Sequence, residues 1–246
     1  GTITGGRIEA DGTDADYYKY QIYNNGVINV GTWTDNADST AEGYGKVDAN
    51  EFKAAAGSNI GGLIGSNTDS LTAGYNTGAI NASGSTNVGG IAGANSGTLD
   101  QVFNTVMTPN GEDTIIGGNN VGGLVGTNSG TLSNAYNTTA VEGSSNVGNA
   151  VGNNTTGTIT NIYASNTSGK LIGNNINTAQ YAIQNAYSFV KDDTSTITVL
   201  DEKVAQKAEE SYEFDNKDDG TTWKFYNGYS NPLLKVFLTT LTVDSD

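Results

Sequence analysis

Four stretches of this chain repeat one another almost word for word. They are NIGGLIGSNTDSLTAGYNT from Asn59, NVGGIAGANSGTLDQVFNT from Asn87, NVGGLVGTNSGTLSNAYNT from Asn120 and NVGNAVGNNTTGTITNIYA from Asn146, the last with one residue inserted. A worn fifth copy is SGKLIGNN, Ser168 to Asn175. The opening Asn recurs at intervals of 28, 33 and 26 residues. Within a copy the spacing is tighter: ten residues separate Gly65 from Tyr75, Gly93 from Phe103 and Gly126 from Tyr136. The distance grows to eleven from Gly152 to Tyr163 and fourteen from Gly173 to Tyr187. Upstream, IYNNGVINV from Ile22 echoes GYNTGAINA from Gly74, and Tyr44 marks a degenerate copy between them. Period counting then predicts about six or seven copies between residues 17 and 190.

A unit this short cannot bury its own apolar face, so the copies must stack. Helix is a poor fit, because no 3.6-residue apolar stripe survives in GGLVGTNSGT and Gly is a poor helix former. Short apolar pairs such as Leu124-Val125 and Ala140-Val141 read as short strands, and TLSNAYN as another, with Leu132 and Tyr136 on one pleat face. Gly and Asn clusters supply the corners. Two or three short strands per copy predict an all-β fold, a parallel β-helix or solenoid. Its right-handedness is argued from the preference of parallel crossovers.

On this reading each repeated residue faces its counterpart. Asn59, Asn87, Asn120 and Asn146 form an amide ladder. Tyr75, Phe103, Tyr136, Tyr163 and Tyr187 form an aromatic stack. Gly62, Gly90, Gly123 and Asn149 share one position, and Gly and Asn are the types that tolerate positive φ, so a left-handed corner is expected there. Lys170 takes that place in the fifth copy, a relaxed corner. Charge is absent because like charges would stack about 4.8 Å apart.

The motifs GGLIG, GGIAG and GGLVG, each followed by Asn, then GTL and an aromatic-Asn pair, resemble the GLUG motif of large bacterial surface proteins. These include filamentous-haemagglutinin-type adhesins and the non-catalytic repeat regions of some immunoglobulin A proteases. The resemblance covers roughly residues 59 to 187. The tail also resembles the segment that commonly ends such an array: a short helix, then Asp215, Trp223, Gly228 and Pro232-Leu233. Independently, Asp201–Glu210 carries good helix formers with acids at its start, and Leu200, Val204, Ala205 and Ala208 give it an apolar stripe. Phe225, Leu233, Leu234, Val236, Phe237 and Leu238 suit a cover for the open end of a solenoid. One elongated domain is therefore expected: degenerate coils over 1–58, GLUG-type coils over 59–190, and a C-terminal helix and cap over 191–246. The chain reads as a fragment of a longer parent.

Composition removes most chemistry. There is no His and no Cys, and Arg7 is the only Arg, so catalytic triads, cysteine nucleophiles and ordinary zinc sites are excluded. A net charge of −15 repels nucleic acid. No apolar run approaches the roughly 18 residues of a membrane-spanning helix. Thirteen Tyr and regular apolar positions argue against disorder.

Remaining candidates are thin. Asp215–Gly220 faintly resembles a calcium loop, but Lys217 stands where an oxygen ligand belongs. Ala10–Asp16 is similar, and a solvated acidic loop is the preferred reading of both. Irregular aromatics, Tyr17, Tyr18, Tyr20, Trp33 and Tyr229, are candidates for a surface site, against packing under terminal segments. The insertion Thr108–Asn119 offers a protruding loop. Thr40–Gly57 holds a helix-like piece, over about residues 49 to 56, against a long loop.

The expected function is a structural and adhesive rod of a secreted or surface-attached bacterial adhesin, with no catalysis, cofactor or metal. Its partner would be a host or neighbouring-cell surface protein or glycan, without nucleic acid or membrane insertion. The alternative is a polysaccharide-binding or polysaccharide-degrading β-helix, though degradation needs paired carboxylates and the repeats hold almost none besides Glu142. Ice binding would need rows of Thr, and one Thr per copy, Thr98, Thr131 and Thr158, is a slender basis.

Overall fold

The computed structural model describes residues 58–106, 114–166, 169–189, 196–200, 212–214, 221–226 and 229–238, and the backbone of seven short strands before residue 54. The protein is all-β. Among the described residues no α-helix occurs, and the one helical turn is a 3-10 turn at Lys235–Phe237. The helix expected over Asp201–Glu210 lies outside them. Glu51–Lys53, inside the helix-like 49–56 piece, is a strand paired with Ala79–Asn81. Pairing to the neighbouring repeat overrides local helix propensity there.

Two large sheets carry the fold, of nine and eleven described strands, and every pairing within them is parallel. In the first sheet Ser70–Asn76, Thr98–Asn104, Thr131–Asn137, Thr158–Ala164, Ile183–Ser188 and Ile197–Val199 follow one another. In the second, Ile64–Asn67, Ala92–Asn95, Val125–Asn128 and Ser145–Asn154 do the same. Each repeat therefore pairs with its own copy, and equivalent residues meet: Leu71 with Leu99, Leu99 with Leu132, Leu132 with Ile159. Those residues fill one core with Ile64, Ile91, Leu124 and Val151. A second core holds Ile60, Ile80, Val88, Ile115 and Val121.

The register corrects two alignments made on sequence alone. Asn24 pairs with Asn67 and Ile28 with Leu71, so IYNNGVINV matches the strand start, not GYNTGAINA. The residue in register with Tyr75 in the preceding repeat is Lys46, not Tyr44. In both cases several short words fit one period, and only pairing selects among them.

The left-handed residues are also elsewhere. Positive φ occurs at Asn59, Asn87, Asn120 and Asn146, between 50° and 59°, and not at Gly62, Gly90, Gly123 or Asn149. Asn is the side-chain-bearing residue that tolerates this region best. Glycine at the other position answers a need for space. A Cβ on Gly123 would lie 2.2 Å from Asn149 O and 2.2 Å from Asn137 Nδ2; on Gly90, 2.2 Å from Gly123 O. The fourth copy accepts Asn149 because the next repeat is shorter. Gly148 pairs with Lys170 and Val151 with Ile172, so Lys170 is not the counterpart of Asn149. The Asn149 side chain extends instead beside Gly169, whose added Cβ would keep an ordinary 3.4 Å from its Oδ1.

A second left-handed column runs through the first sheet at Ala73, Gln101, Asn134, Asn161 and Asn185. It interrupts the two-residue alternation. Leu132 thus joins the core between the sheets, while Tyr136 joins an aromatic cluster on the outer side, where simple alternation put them on one face.

Candidate functional site: the side-chain columns and the faces they leave exposed

The Asn ladder expected from the repeat is present. Asn87 Nδ2 donates to Asn59 Oδ1 at 2.7 Å, Asn120 to Asn87 at 2.9 Å and Asn146 to Asn120 at 2.8 Å. Two further ladders are more buried. Asn67, Asn95, Asn128, Asn154 and Asn175 are linked at 2.8, 2.8, 3.0 and 2.9 Å. Asn76, Asn104 and Asn137 are linked at 2.8 and 2.9 Å, and Asn137 then reaches Asn166 at 3.3 Å because its register partner is Ala164. Their signal was in the sequence, as the Asn after each GGxxG-x and the Asn after each aromatic. Asn67, Asn76, Asn137, Asn154 and Asn175 also bond within their own turns, as Asn76 does by donating to Gly78 O and accepting from Gly78 N. That dual bonding lets a buried polar column stay satisfied.

The aromatic column is stacked face to face. Ring centroids are 4.9 Å apart for Tyr75 and Phe103, 4.9 Å for Phe103 and Tyr136 and 5.0 Å for Tyr136 and Tyr163, within 4° of parallel. Tyr187 pairs in register with Tyr163 and packs its ring edge-on with Tyr212. The column is covered by the C-terminal segment. Tyr212, Phe214, Trp223 and Leu234 are buried against it, and Tyr163 Oη donates to Pro232 O at 2.7 Å. The described part of the tail thus runs along the flank of the stack, where the sequence suggested a cover for its open end.

Burial raises the Tyr163 phenol well above its ordinary value near 10, helped by Tyr136 and Tyr212. The folded state therefore retains the proton. This stabilisation is complete below the unfolded value and declines as pH rises past it, by about 1.4 kcal/mol per pH unit from Tyr163. Urea melts from pH 9 to 11.5 are expected to show stability that is level up to about pH 10 and then falls steeply. Level stability through pH 11 would contradict the buried phenol.

Polar columns also line the first sheet among the described residues. Ser70, Thr98, Thr131 and Thr158 form one column on the first sheet, and Thr72, Asp100, Ser133 and Thr160 a second. These hydroxyls are at least half-buried or turned to each other, as Thr158 Oγ1 to Thr131 Oγ1 at 3.3 Å. Asp100 is their one carboxylate, and its oxygens are engaged. Oδ1 accepts from Ser133 Oγ at 2.7 Å and Asn134 Nδ2 at 2.8 Å, and Oδ2 from Gln101 Nε2 at 3.3 Å. The most exposed aromatic among the described residues is on the tail: Tyr229 is 89% exposed and Tyr226 46%, with Lys224 Nζ 5.3 Å from the Tyr226 ring centre, while Tyr181 is 66% exposed elsewhere.

Of the other candidates, Tyr17, Tyr18, Tyr20, Ala10–Asp16 and Asp215–Gly220 lie outside the described residues. Trp33 is placed by its backbone alone, paired with Gly43. Part of the insertion, Thr114–Asn119, is strand paired with Ile80–Thr86, and the rest lies outside. Among the described residues no group of three or more acidic side chains could hold a metal, and no helix is long and apolar enough to cross a membrane. Comparison with protein-family models, curated proteins and solved structures finds no match to this chain.

Proposed function

We propose that this chain is a non-catalytic rod segment of a secreted or surface-attached bacterial adhesin, built as a right-handed parallel β-helix. The observation that supports it is the set of side-chain columns running in register through successive repeats. Such columns suit a module extended by adding copies. At about 4.8 Å per repeat, six or seven repeats span about 30 Å. The GLUG resemblance points the same way, with a host or neighbouring-cell protein or glycan as partner and an extracellular setting.

The alternative, polysaccharide binding, has one observation of its own in the exposed Tyr226 and Tyr229. Exposed aromatic faces suit the apolar side of a pyranose ring. Both readings meet in one experiment. The purified chain is applied to a glycan array and to cultured cells, beside Tyr229→Ala, and soluble polysaccharides are assayed for new reducing ends. The rod reading expects saturable cell binding and no new reducing ends. Glycan contact through the tail expects Tyr229→Ala to weaken array binding at least about tenfold. Release of reducing ends would sink the non-catalytic reading, and absence of all binding would sink the adhesive one.

A further inference from the structure

In an array of stacked repeats each unit touches only its neighbours, so the ends can open one repeat at a time. The C-terminal segment breaks that rule here. Phe237 lies 5.2 Å from the Tyr75 ring and 4.9 Å from Phe103. Trp223 lies 6.4 Å from Tyr136 and 6.2 Å from Tyr163, and its Nε1 donates to Asn134 Oδ1 at 3.2 Å. Tyr212 lies 6.0 Å from Tyr163 and 4.9 Å from Tyr187, and Tyr187 Oη accepts from Glu213 N. Together these contacts touch five successive rungs.

The contacting residues are tied to one another. Phe214 stacks on Trp223 at 4.4 Å and meets Tyr212 at 5.0 Å. Trp223 pairs antiparallel with Leu234, and Lys235 N donates to Thr222 O at 2.9 Å, just before Phe237. No described strand of this segment joins either large sheet, so it is held to the stack by side-chain packing and by two hydrogen bonds from its backbone, at Glu213 N and Pro232 O.

We infer that Tyr212, Phe214, Trp223, Leu234 and Phe237 act together as a strap that couples five repeats into one cooperative unit. Opening the rung at Tyr75 then requires freeing Phe237, which is held to Trp223 and Tyr212 at the far rungs. The inference concerns coupling within the fold and stands whether or not the chain is an adhesin.

Amide hydrogen exchange by mass spectrometry on the full chain tests it. In the native protein the strands Ser70–Asn76, Thr98–Asn104, Thr131–Asn137, Thr158–Ala164 and Ile183–Ser188 are expected to exchange at rates within about threefold of one another. Phe237→Ala should speed exchange at Ser70–Asn76 and Thr98–Asn104 about tenfold or more and leave Ile183–Ser188 nearly unchanged. Tyr212→Ala should do the reverse, and covers the case in which Phe237→Ala does not fold. Native rates graded from one end to the other would overturn the strap. So would variants that speed every strand alike, because a cover that merely adds stability has no preferred end.

Discussion

Gly123→Ala is expected to destabilise the protein by about 3 kcal/mol, the upper end of what an overpacked methyl costs. The added Cβ would fall 2.2 Å from Asn149 O and 2.2 Å from Asn137 Nδ2. Those two atoms are themselves hydrogen-bonded at 2.7 Å, across the space the missing side chain leaves. Neither can withdraw easily. Asn149 O belongs to the backbone of the adjacent repeat, and Asn137 is fully buried and holds its own turn through Thr139 O. Gly123→Asn should cost at least as much, although Asn149 occupies the equivalent place one repeat later. A left-handed corner would give a different pattern, with Ala costing about 1 kcal/mol and Asn less. Chemical denaturation of both variants separates these explanations. A mild Gly123→Asn beside a worse Gly123→Ala would return the position to a conformational role.

Asn128→Leu is expected to cost about 4 kcal/mol. Leu resembles Asn in shape, so the loss comes from hydrogen bonding rather than from a cavity. Asn128 accepts from Asn95 Nδ2 at 2.8 Å and donates to Asn154 Oδ1 at 3.0 Å, all three being buried. Removing the middle amide leaves one N–H and one oxygen without partners, at about 1–3 kcal/mol each. Asn174→Leu is the comparison, because Asn174 is half-buried and makes one ladder bond, to Asn153 Oδ1 at 2.9 Å. It should cost under about 1 kcal/mol. Equal losses from the two variants would mean that the ladders do not stabilise by buried amide bonding.

The strap, the glycines and the ladders differ in how legible they were. The Asn59 ladder and the Tyr75 to Tyr163 stack could be read directly, because in-register stacking brings identical words together whatever the path of the chain. The buried Asn ladders were written just as plainly, in the Asn of GSN, GAN, GTN and GNN. Spacing does not mark them as buried, because a polar residue beside a turn ordinarily lies at the surface. The glycine column answers to space and not to backbone angle. Sequence shows that a position excludes side chains but not whether backbone angle or a neighbouring carbonyl excludes them.

What the sequence alone determined is the repeat: its period, its all-β character and, from Asn59 to Tyr163, the residues that meet copy to copy. Those follow from spacing, since a short unit with no helical stripe must pair with its own copies. The tertiary structure decided the rest. It put the left-handed turns on Asn59, Asn87, Asn120 and Asn146, set Leu132 and Tyr136 on opposite faces, and laid Tyr212, Phe214, Trp223 and Phe237 along the stack. The last depends on contacts that do not repeat, and the first two on backbone angles within a repeat. Periodicity carries no information about either, because both are fixed by atoms that come together only after the repeats have stacked.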